Sequence, residues 1–410
     1  MLAAVPGWAQ RTIFSPSITL DGVYTDNVQY VGMTEGGPGC EAGPPCPGES
    51  DASARLGLTL ALRREGAKVA TGVRYVGFLE RYKEFTFLDH DEHSAAVELG
   101  SLPGGRSSFG FTASYSMGQI QGNPAGSHSV DLYLSERTER RAYGSALRYD
   151  RQVSGLWSLG TTGWFSEARF EAVPGESEGS SAAAVEDRVE YGAALSVHRE
   201  MSARGGIGWE YSFTRFDLEQ SGREDVHTVV TRFDRRLGPN GSFSATVGAF
   251  ERREAQDSAD TAEAGGSNVE LRVGIGLGRT GKRVTMSVNA DRLASPGGAL
   301  LGTSTDTMLG FTMANRNPVR WSWSVASRYG LREPNLPDQQ DVRTISAGAT
   351  LERGWHDETA LRFSVTAVRQ LSGEPELEGT SSSVSVGFVW SPRGREAERR
   401  PTGTEDDDVR

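Results

Sequence analysis

The sequence lacks several features that would place it in common protein classes. No run of about 18 apolar residues is present, so no transmembrane helix is predicted. No segment shows a helical period of apolar residues that could cover a sheet. The formal net charge is −11, which argues against nucleic acid as a partner because phosphate backbones require a basic surface. These absences leave strands as the only predicted route across a membrane.

Cysteine is almost absent. The two residues of this type, Cys40 and Cys46, lie close together in a loop rich in glycine and proline. This spacing predicts a local disulfide formed in an oxidising compartment, with a modest gain in stability from so short a loop. A metal site is the alternative, but it would need further ligands nearby and the loop offers none. No cofactor is predicted.

What the sequence does contain is strict alternation of apolar and polar residues. Leu56, Leu58, Leu60 and Leu62 form one such run, and residues 269–277 form another. About eighteen runs follow one another from residues 18–25 to residues 382–390. Alternation places all apolar side chains of a strand on one face. The pattern predicts an all-β fold, a single antiparallel up-and-down barrel of about eighteen strands in an outer membrane, with sixteen strands as the alternative.

The connections between the predicted strands alternate between short and long. Long connections are predicted at residues 28–51, 117–140, 170–186, 252–267, 293–304 and 331–341. Short turns on the periplasmic side and long loops outside are typical of outer-membrane barrels. We therefore predict one barrel domain over residues 11–391. Residues 1–10 are interpreted as the end of a signal peptide, with an ordinary N-terminus as the alternative, and residues 392–410 as a disordered, charged periplasmic tail.

Aromatic residues concentrate near the ends of the predicted strands. Amphipathic rings favour the membrane–water interface, so these residues are predicted to lie there. The alternative is the aromatic core of a soluble sandwich. The residues are Tyr24, Tyr75, Tyr143, Tyr149, Trp157, Trp209, Tyr211, Trp321, Trp323, Tyr329, Phe388 and Trp390.

The polar face of the strands predicts the lumen. In one interpretation, opposite charges pair across neighbouring strands and fill a polar interior. In the other, arginines and hydroxyls form a wet path for an anionic or polyhydroxyl solute. Residues 28–51 are the first candidate for a constriction loop and residues 117–140 the second. The lumen-lining candidates are Arg63, Arg74, Arg148, Glu190, Glu210, Arg232, Glu270, Arg272, Arg328 and Arg362.

Two groups of residues raise the question of catalysis. His90-Asp91-Glu92-His93 offers metal-ligand types, but an i, i+3 histidine pair shares a face only on a helix, so a solvated charge run is favoured. Ser196 and His198 share the predicted inner face, without an orienting third residue or an oxyanion donor. No enzymatic activity is predicted, and a barrel hydrolase ranks last among the hypotheses.

The first predicted strand ends in Val23-Tyr24-Thr25-Asp26-Asn27, and Arg140-Arg141-Ala142-Tyr143-Gly144 opens a later one. Both segments resemble the β-barrel porin 2 family and its exosortase-associated relatives. The resemblance implies an eighteen-stranded outer-membrane barrel that carries exopolysaccharide. Export would need periplasmic polysaccharide-export proteins as partners, because a barrel alone supplies no energy. For Asp26 and Asn27 a turn that closes the strand is the alternative to a functional role. Trp390 supplies the aromatic end of the last strand, but a charged tail follows it.

Three functions therefore remain open at this point. The first is a porin in the outer membrane of a Gram-negative bacterium, which passes exopolysaccharide or smaller polar solutes and has lipid and the export proteins as partners. The second is a structural or adhesive surface barrel without transport. The third is the hydrolase.

Overall fold

The computed structural model describes residues 11–26, 50–66, 68–101, 105–122, 133–172, 187–219, 222–255, 267–296, 303–315, 321–335, 340–356, 358–372 and 379–392. Within these ranges the backbone forms eighteen strands and one 3-10 turn, Thr86–Leu88. The strands are β1 (Arg11–Thr25), β2 (Asp51–Glu65), β3 (Val69–Tyr82), β4 (His90–Ser101), β5 (Ser107–Gly122), β6 (Tyr133–Gln152), β7 (Trp157–Ala172), β8 (Arg188–Ser202), β9 (Gly205–Leu218), β10 (Gly222–Arg236), β11 (Gly241–Ala255), β12 (Ser267–Thr280), β13 (Val284–Pro296), β14 (Thr303–Asn315), β15 (Trp321–Pro334), β16 (Val342–His356), β17 (Thr359–Leu371) and β18 (Gly379–Trp390).

The strands form one closed antiparallel sheet. Each strand pairs with its neighbours in the chain, and β1 pairs with both β2 and β18. The closing seam sets Ile18 opposite Trp390 and Thr25 opposite Ser383. Closure satisfies the backbone groups that a sheet edge would expose. The predicted eighteen-stranded barrel is therefore confirmed. Among the described residues, no helix is long and apolar enough to span a membrane.

The two faces of the sheet differ in chemistry around the whole ring. The outer face carries large apolar side chains with high exposure, such as Leu147 and Val247 at 57% each. The alternation that produces this face is visible in β12, where Leu271, Ile275 and Leu277 are all exposed. We call the opposite side of each strand the inner face. No second sheet covers the barrel within the described ranges, so the alternative of a soluble sandwich with an aromatic core is wrong.

Eight of the predicted interfacial aromatic residues lie exposed on the outer face. Trp157 and Trp209 stack there with ring centroids 6.4 Å apart. The exposed fractions of the eight residues lie between 38% and 53%, so each ring is accessible to surrounding lipid or water. The eight residues are Tyr24, Tyr143, Tyr149, Trp157, Trp209, Tyr211, Trp321 and Phe388.

We call the end of the barrel that holds Arg11 and Trp390 the lower end. Strands are joined there by short segments such as 203–204, 237–240 and 281–283. In the second of these, Gly238 has a φ of +83°, a conformation that side chains with a Cβ rarely adopt. The upper end carries longer connections, except that β9 and β10 are separated by residues 219–221 alone.

At the upper end the strands run beyond their predicted limits. The predicted loop at residues 117–140 was too long, because β5 continues to Gly122 and β6 already begins at Tyr133. Gln119 and Glu139 pair in this extension. The sequence is polar at successive positions here, so alternation stops while the backbone ladder continues.

Candidate functional site in the barrel lumen

The strand register places all ten predicted lumen residues on the inner face. Three of the arginines lie beside a carboxylate of the same face. Arg63 Nη2 is 3.0 Å from Glu65 Oε1, and Arg148 Nε is 2.6 Å from Asp150 Oδ2. Arg362 Nη2 is 3.6 Å from Glu352 Oε2. For these three residues the geometry favours local charge pairing over a free positive path.

The remaining seven candidates fall into different surroundings. Glu190 accepts a hydrogen bond from Trp164 Nε1 at 2.9 Å, and Glu270 lies near two arginines at the upper end. Arg272 and Glu210 line one cavity on the inner wall. Arg74 is exposed on the inner face of β3. Arg232 and Arg328 occupy the inner faces of β10 and β15.

The dominant feature of the described lumen is the upper part of β13 and β14, which separates from β12 and stays paired with β15. The register between β12 and β13 ends at Val273 opposite Arg292, although β13 continues to Pro296. Its partner β14 stays paired with it up to Thr303. We call residues 292–296 and 303–307 the inward hairpin, because they lie against the inner wall of β9 to β12.

Apolar packing holds the inward hairpin to that wall. Ala294 packs on a buried cluster formed by Phe216, Leu218, Val226 and Phe250. All four cluster residues belong to inner faces, and Phe250 is only 1% exposed. This contact explains why apolar residues occur on an otherwise polar inner face. The hairpin covers them and thereby removes their apolar surface from water.

Polar contacts also hold the hairpin in place. Arg252 on β11, which is 4% exposed, donates from Nη2 to the Ser304 carbonyl oxygen and to Thr305 Oγ1, both at 2.7 Å. Thr303 Oγ1 donates to Glu224 Oε2 on β10. Because these contacts cross from inner-wall side chains to the hairpin backbone and hydroxyls, they specify where it lies.

A second group of contacts surrounds Glu270 on β12. Thr305 Oγ1 donates to Glu270 Oε2 at 2.8 Å, and Arg292 Nη2 lies 3.4 Å from the same oxygen. Arg252 Nε is 3.8 Å from Glu270 Oε1 and 3.8 Å from Glu224 Oε1. Charges of both signs therefore balance locally at the contact between hairpin and wall.

The sequence did not identify this feature. Residues 293–304 were predicted as a long loop, whereas much of this segment is paired strand turned into the lumen. The first constriction candidate, residues 28–51, lies outside the described residues except for Ser50 and Asp51, as do Cys40 and Cys46. The almost complete burial of the polar run Thr303-Ser304-Thr305-Asp306 is visible in the structure and not in the sequence.

Neither catalytic candidate assembles into a site. His90-Asp91-Glu92-His93 opens β4, so its members alternate between faces and cannot converge on one ion. His93 contacts Tyr75 and Asp91 on the outer face, while His90 lies near Glu80 on the inner one. Ser196 Oγ donates to the Gly160 carbonyl at 3.4 Å and not to an imidazole. In the part of the chain that the structure describes, no group of three potential metal ligands occurs.

Similarity to known proteins is found among solved structures alone. No family model matches the chain, and no curated protein matches it. Among solved structures, OccK2 (OpdF) of Pseudomonas aeruginosa has a TM-score of 0.46 at 12% identity, over 93% of this chain and 98% of that one. OpdQ of the same organism has a TM-score of 0.46 at 9% identity, over 93% and 97% of the two chains. At these values no property of those proteins transfers to this chain.

Proposed function

We propose that this protein is an outer-membrane barrel that gives hydrophilic cargo an aqueous path, and that secreted polysaccharide is its cargo. One observation carries the proposal: a closed ring of eighteen strands has an apolar outer face and a polar inner face. In a lipid bilayer every backbone polar group must be satisfied internally, and a closed barrel is one of two structures that achieve this.

The outer face supports lipid rather than water as the surroundings. Large apolar side chains are exposed on strand after strand, including Leu20, Leu147, Val247 and Leu309. Soluble monomers rarely expose contiguous apolar patches larger than a few hundred Å². A band around an eighteen-stranded ring exceeds that limit, so in water it would drive aggregation. A bilayer removes this cost without any second protein layer.

The inner face supports conduction. Barrels of about 16–18 strands are wide enough to leave an aqueous channel, whereas eight strands fill themselves with side chains. Here the wall offers charged side chains, glycines and hydroxyl groups. Ser287 and Thr312 are examples of the hydroxyl groups, and their side-chain oxygens lie 2.6 Å apart. Such groups replace the hydration water that a solute loses on entering the lumen, and no covalent bond is made or broken. The inward hairpin narrows the upper part of this path.

Polysaccharide as the cargo rests on two supports. The polyhydroxyl-compatible inner face is one, and the resemblance of Val23-Tyr24-Thr25-Asp26-Asn27 to export-associated barrels is the other. A barrel supplies no energy, so polymer export requires periplasmic partners that push or hand over the chain. We infer that periplasmic polysaccharide-export proteins take that role.

Planar bilayer recordings test conduction. Purified barrel, shown to be folded by its heat-dependent electrophoretic mobility, should insert and produce discrete conductance steps. A folded barrel without steps would contradict the porin and favour a structural surface protein. Deletion of the gene then tests the cargo: secreted polysaccharide should fall and periplasmic polysaccharide should rise. Conductance without that change would indicate a porin for small solutes.

A further inference from the structure

A cavity lies beneath the inward hairpin, between its Leu293 and Ala294 and the inner wall of β7 to β12. Its volume is about 300 Å³, at the lower end of the range of about 300–1,000 Å³ that ligand pockets cover. It therefore suits one small group rather than an oligomer. The wall combines one accessible aromatic ring, one guanidinium, one carboxylate and several hydroxyls.

The aromatic ring belongs to Trp164 on β7, and its orientation is fixed from two sides. Trp164 Nε1 donates to Glu190 Oε1 at 2.9 Å. The ring lies directly over Gly192, where a Cβ would overlap the indole, with Cε2 only 2.7 Å away. An indole that is half-buried, fixed in this way and part of the cavity lining is a preorganised aromatic surface for a sugar ring.

The guanidinium belongs to Arg272 on β12. Its Nε atom is buried and has no hydrogen-bond partner within the described ranges. Glu270, two residues earlier on the same face, is already engaged by Thr305 and Arg292. The Arg272 side chain lines the cavity, where a carboxylate ligand could accept charge-assisted hydrogen bonds from its guanidinium.

The remaining wall is suited to hydroxyl groups. Ser212, Thr214 and Thr228 line the cavity with hydroxyls that can both donate and accept. Glu210 adds a carboxylate acceptor. Donors and acceptors of this kind match a ring that carries several hydroxyls.

We propose that this cavity is a subsite for a single uronic acid unit, a pyranose with one carboxylate. The sugar ring stacks on Trp164, the carboxylate meets Arg272, and the hydroxyls meet Glu210 and the serine and threonine side chains. This inference rests on the proposed function, because the subsite would hold one unit of an acidic polysaccharide, or a free uronate, on its way through the lumen. A neutral sugar would leave Arg272 without its acceptor, and a small carboxylate would leave Trp164 without its stacking partner.

Calorimetric titration of the detergent-purified barrel with glucuronate, glucose and acetate tests the subsite. Glucuronate should bind at least about tenfold more tightly than either of the others, because each lacks one of the two contacts. Arg272→Gln should weaken glucuronate binding by about tenfold or more and abolish the preference over glucose. Trp164→Leu should weaken glucuronate and glucose alike.

Arg74→Gln is the matched control, since it removes the same charge from the inner face of β3, away from the cavity. Its affinity for glucuronate should equal that of the wild type. Equal loss in Arg74→Gln and Arg272→Gln would overturn the subsite and indicate general charge attraction. No preference among the three probes would overturn it as well. Titration in detergent does not require conduction. If the barrel shows no conductance steps but still binds glucuronate, the proposed porin function fails while the subsite stands.

Discussion

Arg332 donates two hydrogen bonds to Asp306, from Nε to Oδ1 at 2.9 Å and from Nη2 to Oδ2 at 2.7 Å. The two residues are opposite each other in the register of β14 and β15, and their exposed fractions are 1% and 0%. Ser304 Oγ adds a third hydrogen bond to Asp306 Oδ1 at 3.1 Å. This pair ties the inward hairpin to β15, as Arg252 ties it to β11.

Removal of the anion from this pair should be costly. Asp306→Ala removes the carboxylate that accepts two hydrogen bonds from Arg332, while Arg332 stays charged and buried. The free energy of unfolding should therefore fall by about 3–5 kcal/mol. Urea titration in lipid vesicles, followed by the electrophoretic shift of the folded barrel, measures this change. The double variant Asp306→Leu with Arg332→Met should recover much of the loss, because no uncompensated charge remains. A double variant as unstable as Asp306→Ala would show that packing, not charge, dominates here.

Arg252 should control both stability and conductance. Arg252→Ala removes the donors that hold Ser304 and Thr305 and leaves Glu224 and Glu270 without their shared cation. The free energy of unfolding should fall by at least about 3 kcal/mol. Since the hairpin narrows the proposed path, the conductance steps should also become larger and noisier.

The adjacent Arg253 is the control for this experiment. It lies on the outer face, 60% exposed by its side chain, and pairs with Glu251 at 3.0 Å. Arg253→Ala should change stability by less than about 1 kcal/mol and leave the conductance unchanged. Lower stability in Arg252→Ala with wild-type conductance would mean that the hairpin does not restrict the path.

The barrel itself was predictable from the sequence because successive residues of each strand face opposite sides of the sheet, one apolar and one polar. In β12, Val269, Leu271, Val273, Ile275 and Leu277 share one face in sequence and in structure. The strand ends were not predictable in the same way. Beyond the apolar band the sequence is polar at successive positions, so Gln119 and Glu139 pair through their backbones without any alternation to indicate it.

The inward hairpin could not be predicted from local pattern. The contact between Glu224 and Thr303 joins residues 79 positions apart, and nothing in either segment indicates the other. Ala294 belongs to the same face of β13 as Met286, which is exposed on the outside. The same face therefore points outward lower down and against the inner wall higher up, and only the departure of β13 from β12 distinguishes the two cases.

Gly192 should be intolerant of any side chain. In Gly192→Ala the new Cβ would overlap the Trp164 indole and the Phe213 carbonyl oxygen, which is backbone and cannot rotate away. Stability should fall by about 1–3 kcal/mol, and the emission of Trp164 should shift as its ring moves. Gly110→Ala on the inner face of β5 is the control, because nothing lies within 4 Å of its Cβ position. That variant should be neutral or slightly stabilised, by up to about 1 kcal/mol.

Val247 tests what surrounds the barrel. It is 57% exposed at the middle of β11, opposite Val273 and Thr231 in the two neighbouring strands. In water, Val247→Arg would be close to neutral, because an exposed position gains a soluble side chain. In a bilayer the guanidinium enters hydrocarbon, and the free energy of unfolding should fall by about 2–4 kcal/mol. Ser244→Arg places the same charge on the inner face, opposite Asp234 and Gly276, and should fold in vesicles with little loss. Both variants are measured by urea titration in vesicles and compared with the wild type. Equal stability of Val247→Arg and the wild type in vesicles would mean that lipid does not contact this face, and the apolar band would then require a protein partner instead.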